Sequence, residues 1–247
     1  IDWREQSYPV WAQPADIYMS ECLGTNAAYY GVLKVMEDMA TVLGKKKDVK
    51  KYGQKAEALK KAINDNFWVE EDGYYASYLY GRQNLTRTQQ SETLGESFCV
   101  LFGIADEERA AKVISSMPVG EFGPPIFSPQ IVSQGDYHNN GVWPYVTSFW
   151  GKAAAKVGNE TALMHALACN VRTASIYATN YENYSFNTGN PYTTQINSPN
   201  MLWGLSGFMG LFHRTFFGLE FTKEGLALKP FVLDILLDKS LSFRFKL

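Results

Sequence analysis

Cysteine and histidine are both scarce here, with three of each in 247 residues. Cys22, Cys99 and Cys169 stand far apart inside predicted helices, without metal-ligand spacing and too few for a disulfide framework. That leaves them as core thiols and leaves the fold to form without crosslinks or metals. Charge is sparse as well: 19% of residues are charged, the formal net charge is −2, and Lys and Arg are scattered along the chain. Without a basic stripe, nucleic acid is excluded as a partner class. Long apolar runs are missing, none approaching the roughly 20 residues a bilayer span needs, so no membrane association is expected. No charged segment followed by an apolar core opens the sequence. It starts at Ile1-Asp2-Trp3, already loop-like, and we expect a processed or truncated chain whose compartment is unknown. No internal repeat is visible beyond a rhythm of helical hairpins.

Apolar residues make up 46% and aromatics 15% of the chain. A chain of this length can bury roughly 70% of the surface its unfolded form exposes, enough for one large soluble domain. Several of the fifteen Tyr and six Trp lie beside Asn and Gly in loops. Flat rings there suit stacking on sugars, although large cores also consume aromatics.

Apolar spacing and breakers predict seven helices, over 16–43, 46–67, 90–102, 106–117, 141–157, 159–178 and 199–216. In the second, Val49, Tyr52, Ala56, Leu59 and Ile63 keep a three-and-four spacing beneath a lysine-rich face, which marks an outer, solvated helix. The odd-numbered helices carry Gly, Ser, Trp and Tyr, as inner helices that pack closely around a pocket would. A mainly α architecture follows, with inner and outer rows of helices over residues 1–217. Short strands at Leu219 to Thr222, Leu226 to Leu228 and Leu241 to Lys246 then form a β region over 218–247. The loops 118–140 and 179–198, near 20 residues each, are of a length usually kept for function.

Two stretches look chemical. Asp2-Trp3-Arg4-Glu5-Gln6-Ser7-Tyr8-Pro9-Val10-Trp11 sets acids among aromatics ahead of a helix. Tyr181-Glu182-Asn183-Tyr184-Ser185-Phe186-Asn187-Thr188-Gly189 sets one carboxylate among aromatics and amides. Cleavage of a glycosidic bond needs such a pair, one carboxylic acid to protonate the leaving oxygen and one carboxylate to activate water or attack carbon. Taken singly, a loop carboxylate is more often a cap, a turn former or a solvated charge.

Glu182-Asn183-Tyr184 with Asn187-Thr188-Gly189 resembles the E-N-Y-N-x-x-T-G segment of glycoside hydrolase family 63, the processing α-glucosidases. Tyr137-His138-Asn139-Asn140-Gly141-Val142-Trp143-Pro144 resembles the Y-H-N-G-x-V-W-P stretch that borders the sugar pocket in amylo-α-1,6-glucosidase and related six-hairpin enzymes. Asp2-Trp3 is similar to the D-W holding the general acid in some relatives, and Gly225-Leu226-Ala227-Leu228-Lys229-Pro230 to the start of their C-terminal β region. The resemblance implies an (α/α)₆ toroid, represented by helices six to twelve. It also implies Asp2 as general acid with Glu5 as its competitor, Glu182 as general base, inversion at the anomeric carbon and no cofactor. An oligosaccharide or glycan would be the substrate, and an upstream segment or a partner chain would complete the barrel.

Trp3, Arg4, Trp11, Tyr137, His138, Asn139, Asn140, Trp143 and Tyr184 are the candidate sugar-binding residues. For Asn139 and Asn140 a turn-and-cap role stands beside that reading, as a salt bridge does for Arg4. Trp203, at helical spacing, reads as core or as a pocket wall. His165 and His213 read as structural, and Glu92 and Glu96 as helix-surface or pocket-rim groups, since no His accompanies them as a metal ligand would. A phosphorylase on the same fold would dispense with the base, which Glu182 argues against, and a non-catalytic carbohydrate-binding protein is the second rival.

Overall fold

The computed structural model describes residues 8–81, 83–131, 134–222, 224–240 and 242. Its helices are α1 (Pro14–Tyr18), α2 (Leu23–Val42), α3 (Lys46–Asn66), α4 (Thr93–Leu101), α5 (Glu107–Ser116), α6 (Pro144–Lys156), α7 (Glu160–Tyr177) and α8 (Leu202–Gly210), the last running on as a π-helical turn over Leu211–Phe216. Helix α2 packs on α4, α4 on α6, and α6 on α8, giving one inner row. Behind it, α3 backs α2, α5 backs α4 and α6, and α7 backs α6. This is the double layer the alternating composition predicted.

The periodic side chains do what their spacing dictates. On α3, Ala56 and Ile63 are fully buried while Tyr52 and Leu59 pack at the core margin. Leu23, Ala27, Tyr30 and Leu33 of α2 meet Cys99 and Val100 of α4 and Trp150, Ala153 and Ala154 of α6 in the same core. Helix α6 is buried on several sides because it touches α4, α5, α7 and α8. Its Gly151 allows close contact with α7: a Cβ there would stand 2.7 Å from that of Ala166. Cys22, Cys99 and Cys169 are buried free thiols.

Three inner helices start later than periodicity suggests, for one common reason. The residues just before them are taken by two-residue antiparallel ladders. Strand β1 (Glu21–Cys22) precedes α2, β2 (Trp68–Val69) pairs with β3 (Tyr74–Tyr75), and β4 (Tyr78–Tyr80) joins β1 to β5 (Thr86–Arg87). Strand β6 (Ser91–Glu92), before α4, pairs with β7 (Phe127–Ser128), and β8 (Gly141–Val142), before α6, pairs with β9 (Tyr184–Ser185). The helix predicted over 16–43 is therefore divided into α1 and α2, with β1 between them. Past α8, β10 (Leu219–Thr222) and β11 (Gly225–Leu228) form a hairpin, and Leu241 and 243–247 lie outside the described residues. No helix among the described residues is long and apolar enough to cross a membrane.

Candidate active site

The N-terminal ends of the inner helices converge on a cavity of about 410 Å³. Gly24 and Thr25 of α2, Glu92 and Leu94 at the start of α4, Trp143 and Tyr145 at the start of α6, and Trp203 of α8 all line it. Four inner helices thus present their first turns to one space. The wall is aromatic: Trp203 stacks on Tyr145 at 5.4 Å and tilts against Trp143 at 5.5 Å, and Trp143 stacks on His138 at 5.5 Å. Ile126, Phe127, Trp143 and Val146 form a small buried cluster, of which Ile126, Trp143 and Val146 also line the cavity.

Glu182 comes to this wall through the β8–β9 ladder. Pairing of Gly141 with Ser185 and Val142 with Tyr184 draws the 179–198 loop onto the segment that carries Tyr137, His138 and Trp143. The Tyr137 hydroxyl donates to Glu182 Oε1 at 3.2 Å, and the Tyr137 ring lies 4.3 Å from that of His138 and 5.1 Å from that of Trp143. Tyr137 is thereby the link between Glu182 and the cavity wall. Partial burial raises the affinity of Glu182 for its proton, and the Tyr137 hydrogen bond, by favouring the anion, offsets part of that. The Tyr137 hydroxyl itself is pushed up to about 12, mainly by burial and then by the charge of Glu182. It is therefore a neutral donor throughout the working range.

Other predicted residues divide between wall and scaffold. His138 and Trp143 line the cavity, and the Trp143 indole donates to the Tyr137 carbonyl at 2.9 Å. Asn139 is buried and spends its amide on the loop, accepting from Ile131 N at 2.7 Å and donating to Ile131 O at 2.9 Å. The Asn140 carbonyl accepts from Phe186 N at 2.9 Å, which ties the two loops together. Tyr184 is fully buried, with its hydroxyl accepting from Tyr181 N and its ring against Tyr177. Trp11 is half-exposed and packs on Tyr80. Asp2, Trp3, Arg4 and Glu5 lie outside the described residues.

Sequence reasoning missed two features. Asn197 is the hub of the Glu182 loop: it donates to Asn183 O and Pro191 O, each at 2.7 Å, and accepts from Asn183 N and Ser198 N. Glu182 N in turn donates to Ser198 O at 3.0 Å. Glu92 and Glu96, read as surface or rim groups, are each 1% exposed. Glu92 lines the cavity, whereas Glu96 is sunk behind it, accepting from Tyr75 N, with burial holding its carboxyl well above the usual range. The Glu-x-x-x-Glu spacing, which places both on one helix face, was the available signal for their proximity. Depth is not written in that spacing.

No curated protein sequence matches this chain significantly. Solved structures similar to it include a sialidase at 16% identity and a TM-score of 0.68, over 86% of this chain and 21% of that one. A wild-type glycosidase aligns at 14% identity and 0.62, over 85% of this chain and 55% of the other. A glycosidase variant in complex with glucose aligns at 13% identity and 0.63, over 83% and 54%. The chain thus spans about a fifth of the first and roughly half of the others, and likeness at these identities carries the fold alone: part of a six-hairpin helical toroid. Residues 7–203 match the model of the mannosylglycerate hydrolase MGH1-like glycoside hydrolase domain, and the chain belongs to that glycoside hydrolase family.

Proposed function

We propose that the protein hydrolyses an α-glycosidic bond with inversion, Glu182 acting as general base on water and Asp2 as general acid. The observation that carries this reading is the Glu182–Tyr137 pair beside an aromatic cavity at the inner-helix N-termini. Partial burial makes Glu182 a stronger base, and a hydrogen-bonded phenol fixes its carboxylate, as water activation requires. Inversion requires the two carboxyls about 6.5–9.5 Å apart, leaving room for the water between them. The resemblance favours an α-glucosidase-like specificity and the family description names a mannosyl substrate, so both sugars belong in the assay. Asn139, Asn140 and Tyr184 would serve by holding the loops, and His138, Trp143 and Trp203 by contacting sugar. Residues 218–247 would lead into a C-terminal β region, and an upstream segment or partner chain would complete the toroid.

Glu182→Gln in the whole enzyme is the test. It keeps size and hydrogen bonding but removes the base, so kcat should fall at least about 100-fold with sugar binding nearly unchanged. Retention of most of kcat on the best α-glucoside or α-mannoside would overturn the assignment. The anomer first released, followed by proton NMR, reports inversion directly.

A further inference from the structure

Helix α7 lies in the outer layer, yet three of its hydrogen-bonding side chains reach for one short turn. His165, Cys169 and Arg172 follow at four- and three-residue spacing and so share a helix face. His165 Nε2 donates to Gly120 O at 2.9 Å, Cys169 Sγ to Glu121 O at 3.4 Å, and Arg172 Nη1 to the same Glu121 carbonyl. The turn is closed on itself by Gly120 and Gly123, whose N–H groups donate to each other's carbonyls at 3.1 and 3.3 Å. Gly123 also fits closely against the inner layer: a Cβ there would stand 2.8 Å from Val142 of β8 and from Thr147 of α6.

This turn interlocks with the one that follows Glu182. The 185–190 turn is drawn tight by Gly189 N donating to Ser185 O at 2.8 Å and Ser185 N to Asn190 O at 3.2 Å. Each turn then seats its phenylalanine on the other's glycine. A Cβ at Gly120 would stand 2.8 Å from the Phe186 ring, and one at Gly189 would overlap the Phe122 ring, with Cδ1 at 2.6 Å. Gly189 also holds φ at +66°, which residues with a side chain rarely adopt. The two turns therefore meet at ring-to-backbone distance.

We propose that this lock positions Glu182, with Phe122 and, behind it, His165 as positioning residues. The proposal rests on the reading of Glu182 as general base. The hydrogen bond from Tyr137 orients the carboxylate but does not hold the backbone that carries it. The β8–β9 ladder fixes one side of that backbone, and the Phe122–Gly189 contact fixes the turn that begins at Ser185, three residues beyond Glu182. A base must stand within hydrogen-bond reach of the water it activates, and a misplacement of about 1 Å can cost about 100-fold in rate.

Steady-state kinetics of the whole enzyme on its best α-glucoside or α-mannoside test the proposal. Phe122→Ala empties the place over Gly189, so kcat should fall about tenfold or more with KM nearly unchanged. His165→Ala should lower kcat in the same way, whereas His165→Gln, whose side-chain amide can donate from the place of the imidazole Nε2, should recover most of it. In the Glu182→Gln background, where no base remains to be placed, Phe122→Ala should cost nothing further, since residues acting as a unit are not additive. Unaltered kcat in Phe122→Ala beside an inactive Glu182→Gln overturns the proposal. So does a full additional loss in the double variant, which would mark Phe122 as packing alone. If Phe122→Ala fails to fold, full kcat in His165→Ala, or a His165→Gln no better than His165→Ala, overturns it instead. Failure of the base assignment looks different, because Glu182→Gln would then itself keep its kcat.

Discussion

Removing one oxygen from Tyr137 should move the acid limb of the activity profile. Its hydroxyl favours the Glu182 anion and so lowers that group's pKa, against the larger upward effect of burial. A general base works only when deprotonated, so activity is lost as pH falls through this pKa. Tyr137→Phe leaves the burial and takes away the opposing hydrogen bond, so the pKa rises further and the acid limb of kcat/KM shifts to higher pH. An unmoved limb, or one moved to lower pH, would contradict the role given to Tyr137. At this scale the motifs single out Glu182, Tyr137 and Trp143 in the sequence, and the structure brings the three together through the Tyr137–Glu182 hydrogen bond and the Tyr137–Trp143 ring contact. The sequence was opaque where an ordinary residue does structural work through distant backbone. Asn197 is one more Asn in a polar loop until its bonds to Asn183, Pro191 and Ser198 are seen. Glu92 looks like any helix-starting acid until α2 closes over it.

Among elements, the contact between α6 and α7 is set by one missing methyl. Gly151 faces Ala166 so closely that an added Cβ would sit 2.7 Å from its neighbour, with Leu211 near 3.2 Å on another side. Gly151→Ala should therefore destabilise by about 1–3 kcal/mol through overpacking, although alanine is the better helix former. Chemical denaturation would show it as a lower midpoint with an unchanged slope, and a rise in stability would mean that the helices shift apart easily. The main helices were readable from apolar spacing and breakers, and their alternating character from composition. Their starts were not, since two-residue ladders at Glu21–Cys22, Ser91–Glu92 and Gly141–Val142 leave no periodic trace. Those ladders depend on partners 35 to 58 positions away in sequence, such as Phe127 against Glu92 and Leu79 against Glu21, which local pattern cannot reveal.

For the molecule as a whole, the two ends of the inner row matter most. Along α2, Tyr29, Val32, Val35, Met39 and Val42 are each at least half exposed and recur every three or four positions. This is the apolar stripe of a helix that expects a neighbour. At the opposite end α8 exposes Leu202, Leu205 and Met209. Residues 1–247 on their own should therefore associate or precipitate, and the segments that complete the toroid should restore a monomer. Sedimentation at several concentrations decides this, and a soluble monomer that unfolds cooperatively would show that these edges need no cover. The two stripes are chemically unlike: one is built of valine, methionine and tyrosine on a long helix, the other of leucine and methionine on a short one. A contact that joins one to the other is head-to-tail, and each added copy carries the unused edge forward. Association of the bare chain would then be head-to-tail, ending in a closed ring where the rotation between copies closes and otherwise running on as an open fibre.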